Sequence, residues 1–217
     1  MTITLRNVKG SALTYSELDG NFTDLDTRTQ AGWSDLVQQV IVNAGAGNAP
    51  TIQSYRDGLY FYAFAPSSTN EVYVTFHLNH DYNSTGGDIG YEGMVYPHVH
   101  WSINTTSTGV VRWGVEWTAA RRDDSTGTIA FGATSTLYIE HTVGSGEQYR
   151  HQVNESATGS GIPQGGILEP DALILCRYFR DATHPNDTFP DDVFLLTVDL
   201  HYPALQSQSP NRTPPFF

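Results

Sequence analysis

"MVYPHVHWSI" (residues 94–103) places His98 and His100 one residue apart, between Pro97 and Trp101. In an extended strand, residues i and i+2 point to the same side. The two histidines are therefore either a ready-made pair of imidazole ligands or two polar residues on the wet face of a sheet. Stretches of similar character lie on both sides: GLYFYAFA (58–65), EVYVTFHL (71–78), GVVRWGVEWTAA (109–120), TSTLYIEHTV (134–143), YRHQVNES (149–156), DALILCRYFRD (171–181) and VFLLTVDLHY (193–202). Turn-rich segments such as NSTGGD, RRDDSTG and GSGIPQGG separate them, and Gly, Asn, Asp and Ser each favour turns for a physical reason. Eight short strands predict a mainly β chain folded as a jelly-roll-like β-sandwich. Immunoglobulin-like and Greek-key sandwiches share this spacing.

Composition agrees. Tyr, Phe and Trp make up 12% of the 217 residues, and Gly occurs 20 times. The balance of 11 basic against 23 acidic residues leaves a net charge of −12, with Lys9 the single lysine. An acidic chain without basic clusters argues against nucleic-acid binding. No stretch approaches the ~18 apolar residues that span a bilayer. The start, MTITLRNVKG, lacks the apolar segment of a signal peptide, so synthesis in a cytoplasm without processing is expected. The single cysteine, Cys176, sits in the apolar run ALILCRYF and is expected to pack as a small hydrophobe.

Both ends differ from the middle. Thr14 and Glu17 form a Thr-x-x-Glu capping box at a helix start. Tyr15, Leu18, Phe22 and Leu25 follow at spacings of 3, 4 and 3, the pattern of a coiled-coil seam. The seam lasts under two heptads and contains Gly20-Asn21, so it needs a partner chain or a docking surface. Residues 1–49 read as an attachment arm with a short strand and a short helix, residues 50–205 as the sandwich, and residues 206–217 as an extended tail. The tail ends in Pro-Pro-Phe-Phe, and Phe216 and Phe217 are expected to dock on a neighbour.

The segment LTYSELDGNFTDLDTR resembles a short N-terminal motif of many bacteriophage tail-fibre and virion-associated proteins. The match is carried by Leu13, Thr14, Tyr15, Glu17, Leu18, Asp19, Asn21, Phe22 and Leu25. The larger part is similar to a family of phage structural proteins found near tail genes, through YPHVHW, GVVRWGVEW, RYFRDATHPNDTFPDDVFLL and the terminal SPNRTPPFF. The resemblance implies a trimeric β-sandwich virion protein, anchored by its arm. It implies partners among tail or capsid proteins and a host-surface glycan as a further possible partner, with no catalytic residue and no cofactor. The expected role is a tail-associated fibre or adaptor. The alternatives are a capsid decoration protein, a cupin-like metal enzyme or a carbohydrate-binding module.

Imidazole suits zinc, iron, nickel or copper, but His98 and His100 need further donors from another strand; the candidates are His77, His80, His141, His151, His184 and His201, with Asp199 on the face of His201. Cupins use His-x-His with a downstream Glu on a jelly roll; here the next Glu after His100 is Glu116, one strand later. A three-fold axis bringing three His98/His100 pairs together would supply six nitrogens, so a metal is expected only if such an axis passes the pair. Trp101, Trp113 and Trp117 are read as core, with a sugar platform as the alternative. Arg112 and Glu116 are expected to pair with each other or across strands. The loop RDATHPNDTFPDD, with Asp181, Asp187, Asp191 and Asp192, reads as a solvated acidic loop without EF-hand spacing. Neither a nucleophile elbow nor a phosphate-binding loop is present.

Overall fold

A computed structural model of the chain describes residues 9–29, 32–42, 48–84, 93–122 and 130–205, without the side chains of residues 24–29. Among the described residues, the helix α1 (Tyr15–Thr29) precedes ten strands: β1 (Gly32–Gln38), β2 (Thr51–Arg56), β3 (Leu59–Phe64), β4 (Glu71–His77), β5 (Tyr96–Ser102), β6 (Gly109–Ala120), β7 (Ser135–Val143), β8 (Gln152–Glu155), β9 (Leu173–Arg180) and β10 (Val193–Ala204). The eight strands read from sequence correspond to β3 through β10. β2 joins β3 through an Asp57-Gly58 turn with Asp57 at φ 50°, the Asp-Gly chemistry that favours two-residue hairpins. Almost all of β2 is exposed, so it lacks the alternation that marks a strand.

All pairings are antiparallel. One sheet runs β2-β3-β10-β5-β8 and the other β4-β9-β6-β7. Counted from β3, these orders are 1-8-3-6 and 2-7-4-5, which is the strand order of a jelly roll. β3 pairs with the start of β10, and β1 pairs with β10 from Val198 to Ala204. β1 falls inside the segment read as an arm, yet it is hydrogen-bonded to the sandwich along its length and buries Leu36 in the core.

Alternation fills the space between the sheets. β5 turns Val99 and Trp101 inward, β6 turns Val111, Trp113 and Val115, and β9 turns Cys176 and Tyr178. Trp101 and Trp113 meet edge to face across the core at 6.2 Å, and Phe64 meets Trp113 at 5.2 Å, both favourable aromatic geometries. Trp117 packs against the same cluster. Burial pushes the Cys176 thiol above its ordinary pKa, as expected of a packed, unreactive cysteine. Arg112 and Glu116 point out of the smaller sheet and pair across strands rather than with each other. Arg112 Nε donates to Asp181 at 2.9 Å and Arg112 also binds Glu140, while Glu116 binds Arg177.

The β9–β10 loop corrects the reading of a solvated acidic segment. Asp187 is buried against the fully buried Arg180, whose Nε and Nη2 donate to its two oxygens at 3.1 and 2.8 Å. Arg180 Nη1 donates to the carbonyls of Phe64 (3.1 Å) and Asp191 (2.7 Å), and Nη2 also to that of Phe189 (2.6 Å). Asp187 in turn accepts the backbone N–H of Arg112 at 3.0 Å. One of the loop's four aspartates, Asp187, is thus an internal anchor.

At the arm, the capping box forms. Glu17 N–H donates to Thr14 Oγ1 at 3.2 Å, and Thr14 N–H donates to Glu17 Oε2 at 2.7 Å. Tyr15 is 89% and Phe22 62% exposed, and Leu18 is exposed as well, so this face of α1 is uncovered. The side chain of Leu25, and the tail with Phe216 and Phe217, lie outside the described residues.

Two outcomes follow from these contacts. Arg180→Met leaves Asp187 buried without its cation and is expected to cost about 3–5 kcal/mol in urea unfolding, with Arg180→Met/Asp187→Leu recovering part of the loss. A cost under about 1 kcal/mol would mean the loop does not depend on this pair. Lys9, then the Thr14 N–H and hydroxyl, hold the Glu17 carboxyl down to about 2. A depressed carboxyl supports the helix start above its unfolded value and loses that support as pH falls through the folded value. The Thr14 amide resonance should therefore titrate near pH 2, below the ordinary Glu range, and a midpoint above 4 would contradict the capping box.

Candidate metal centre

A β-bulge between Leu195 and Thr197 decides what β10 shows to solvent. Before the bulge, Val193 and Leu195 are buried in the core; after it, Val198, Leu200 and Tyr202 are. The extra residue reverses the parity, so Asp199 and His201 face outward. The register then sets Asp199 opposite His98 of β5, and His98 opposite Glu155 of β8. On the far side of β10, Asp35 of β1 lies opposite His201. Four strands thus deliver acids and imidazoles to one patch on the outer face of the larger sheet.

His98 is 7% and Asp199 4% exposed. His98 Nε2 donates to Glu155 Oε2 at 2.6 Å, while His98 Nδ1 lies 3.2 Å from Asp199 Oδ1. His100 Nε2 lies 3.3 Å from Asp199 Oδ2, and His100 Nδ1 meets His151 Nε2 at 2.9 Å. The two contacts to Asp199 are within ion-pair reach, yet Asp199 Oδ1 and His100 Nε2 have no aligned hydrogen bond. Electrostatically the cluster holds together. Burial alone would lower the pKa of His98; the adjacent Asp199 and Glu155 carboxylates outweigh it and raise the value above that of an ordinary histidine. Burial would raise that of Asp199, but His100 and His98 hold it below the usual carboxylate range.

The row continues past these three. His201 stands edge-on to His98 with ring centroids 4.7 Å apart, and its Nε2 is 3.2 Å from Asp35 Oδ1. Beside it opens a shallow cleft lined by Trp33, Tyr96, Glu155, Thr158 and His201. Two donor sets are compact enough for one ion: His98, His100 and Asp199, and Asp35, His98 and His201, each with its ligand atoms within 4.8 Å of one another. A donor from another strand, which a site within one chain requires, is thus present. Sequence reading places Asp199 beside His201 but not beside His98, because that contact arises only through the β5–β10 register and the bulge. The mirrored spacing of His98-Val99-His100 and Asp199-Leu200-His201 is the one signal that could have raised the pairing.

The remaining histidines are accounted for elsewhere. His77 and His80 both bind Asp171 Oδ1 at 3.0 Å at the β4 end, and His184 Nδ1 accepts the Asn186 N–H. His141 belongs to a chain in which Trp101 Nε1 donates to Asn154 Oδ1 (2.8 Å), Asn154 Nδ2 contacts His141 Nδ1 (3.1 Å), and His141 Nε2 contacts Glu147 (3.3 Å). The inner face, where a metal enclosed between the sheets would need donors, is apolar over β5, β6 and β10.

The fold and this patch define a jelly-roll β-sandwich with an outward-facing histidine–aspartate cluster. No protein-family model matches the chain, and no curated protein is found similar to it.

Asn154→Ala removes the partner of the buried Trp101 indole N–H. An unsatisfied buried donor costs about 1–3 kcal/mol, so the midpoint of chemical unfolding should fall with the slope unchanged; an unchanged midpoint would show that the indole finds another acceptor.

Proposed function

We propose that this chain is a bacteriophage virion structural protein, assembling as a homotrimer and attaching through its N-terminal arm to a tail component. The observation that carries the reading is α1. It bears the fibre-type motif, its capping box is formed, and Tyr15, Leu18 and Phe22 stand exposed. A helix this short is marginal alone in water, and three apolar side chains left uncovered on one seam fit a partner's surface. Self-association has its own support. The β2–β3 hairpin at the sheet edge exposes Ile52, Leu59 and Tyr60, a group of large apolar side chains of the kind that marks protein contacts.

The tests separate these elements. Light scattering should return about three times the 23.9 kDa chain mass, and a monomer at micromolar concentration would overturn the trimer. Deleting residues 1–30 stops short of β1 and should leave the sandwich folded while abolishing incorporation into particles; normal incorporation would remove the anchor role. Labelling intact particles should place the protein on the tail, and labelling over the capsid faces would replace the tail reading with capsid decoration.

A further inference from the structure

We propose that His98, His100 and Asp199 bind one divalent transition-metal ion of the zinc type per chain, held on the outer face of the larger sheet by β5 and β10. The inference is independent of the virion reading.

Three observations carry it. First, two polar atoms of the cluster, one on each side of the Asp199 carboxylate, lack a proper bond. Asp199 is almost fully buried, its Oδ1 lacks an aligned hydrogen-bond partner, and so does His100 Nε2. Buried polar atoms are normally satisfied, and two of the five unsatisfied side-chain atoms among the described residues fall in this one cluster. Second, the donors are compact. His98 Nδ1 lies 3.2 Å from Asp199 Oδ1 and His100 Nε2 lies 3.3 Å from Asp199 Oδ2, and one donor atom from each residue lies within 4.8 Å of the others. The short distance and the poor hydrogen-bond alignment are both natural for groups arranged around an ion.

Third, the outer nitrogens are already fixed. Glu155 accepts the Nε2–H of His98; in the neutral ring Nδ1 then carries the lone pair, on the side of Asp199. His100 Nδ1 meets His151 Nε2; with the proton on His100 Nδ1, the Nε2 lone pair also faces Asp199. A carboxylate or a second imidazole behind the liganding ring is how metal-binding histidines are oriented. Two imidazoles and one carboxylate favour zinc, cobalt, nickel or copper over calcium or magnesium. The competing set with Asp35 and His201 has the more exposed carboxylate, Asp35 at 54% against Asp199 at 5%, so the inner set is the site.

The test uses the full chain, stripped with chelator and titrated with Co2+ and then Zn2+. One equivalent of Co2+ should give visible d–d absorption that Zn2+ abolishes, and Zn2+ should raise the unfolding temperature. Nitrogen-15 spectra of the histidine rings should show coordination through Nδ1 of His98 and Nε2 of His100. Asp199→Asn and His100→Gln should each abolish the cobalt signal, Glu155→Gln should weaken zinc binding about 10–100-fold, and His201→Gln should leave both unchanged. Absence of a cobalt signal in the wild type overturns the site whatever the variants do. Retention of full affinity in Asp199→Asn, or its loss in His201→Gln alone, overturns the assignment of the donors. Size exclusion and circular dichroism check that each variant is folded, and the ring spectra of the wild type test the donors without any substitution.

Discussion

The guanidinium of Arg180 is the constraint on which the arrangement turns. An arginine without solvent access is tolerated only when its charge and its N–H groups are matched. Here two bonds reach Asp187, and others reach the carbonyls of Phe64, Phe189 and Asp191. These partners belong to the end of β3 and to the connection between β9 and β10. Pinning that connection fixes where β10 enters the larger sheet, between β3 and β5. The entry point sets the β5–β10 register, and the register sets Asp199 against His98. A surface cluster thus depends on a buried ion pair at the end of the sandwich. A neutral replacement of similar volume can equal such a pair in stability; a single deletion cannot, because it strands the remaining charge.

Alternation then divides the molecule's chemistry. The interior is closed by Trp101, Trp113 and Phe64, so polar function has only the two outer faces. They are built differently. The smaller sheet shows Arg112 between Glu140 and Asp181 and Arg177 between Glu71 and Glu116. These arginines also lie over Tyr138 and Phe179, at 3.8 and 4.4 Å from the ring centres, a favourable stacking for a cation. Their donors are used within the sheet. On the larger sheet imidazoles take the place of arginines, and an imidazole, unlike a guanidinium, has a lone pair to give.

The strands β3 to β10 were legible because each is half-buried and alternates or runs apolar. β2 was not, since its residues are exposed on both faces and its identity rests on the Asp57-Gly58 turn and pairing with β3. β1 was read as part of the arm because few of its side chains enter the core. The acidic loop was misread because composition does not reveal that a buried arginine waits for one of its aspartates. The histidine pair was found and Asp199, His151 and His201 were candidates beside it, but their placement against the pair was not legible. Unbroken alternation from Val193 and Leu195 would turn Asp199 inward; only the bulge turns it out, and a bulge leaves no pattern in this stretch. The exposed seam of α1 was read from spacing and helical capping, both local properties, and local properties are what a single sequence carries best.

The outer cluster also has an energetic oddity. Asp199 and His98 are nearly as buried as the core, yet they contribute nothing to apolar packing, and burying charge on a sheet face opposes folding unless it is compensated. Glu155 and His151 compensate the outer nitrogens. Nothing aligned compensates Asp199 Oδ1 or His100 Nε2. Apolar side chains at these positions would spare the sheet that penalty, as replacement of buried ion pairs elsewhere shows. A cation at the convergence point would satisfy both orphaned atoms at once and tie β10 to β5 in the middle of the sheet. The cluster is then understandable as a site first and as a piece of the fold second.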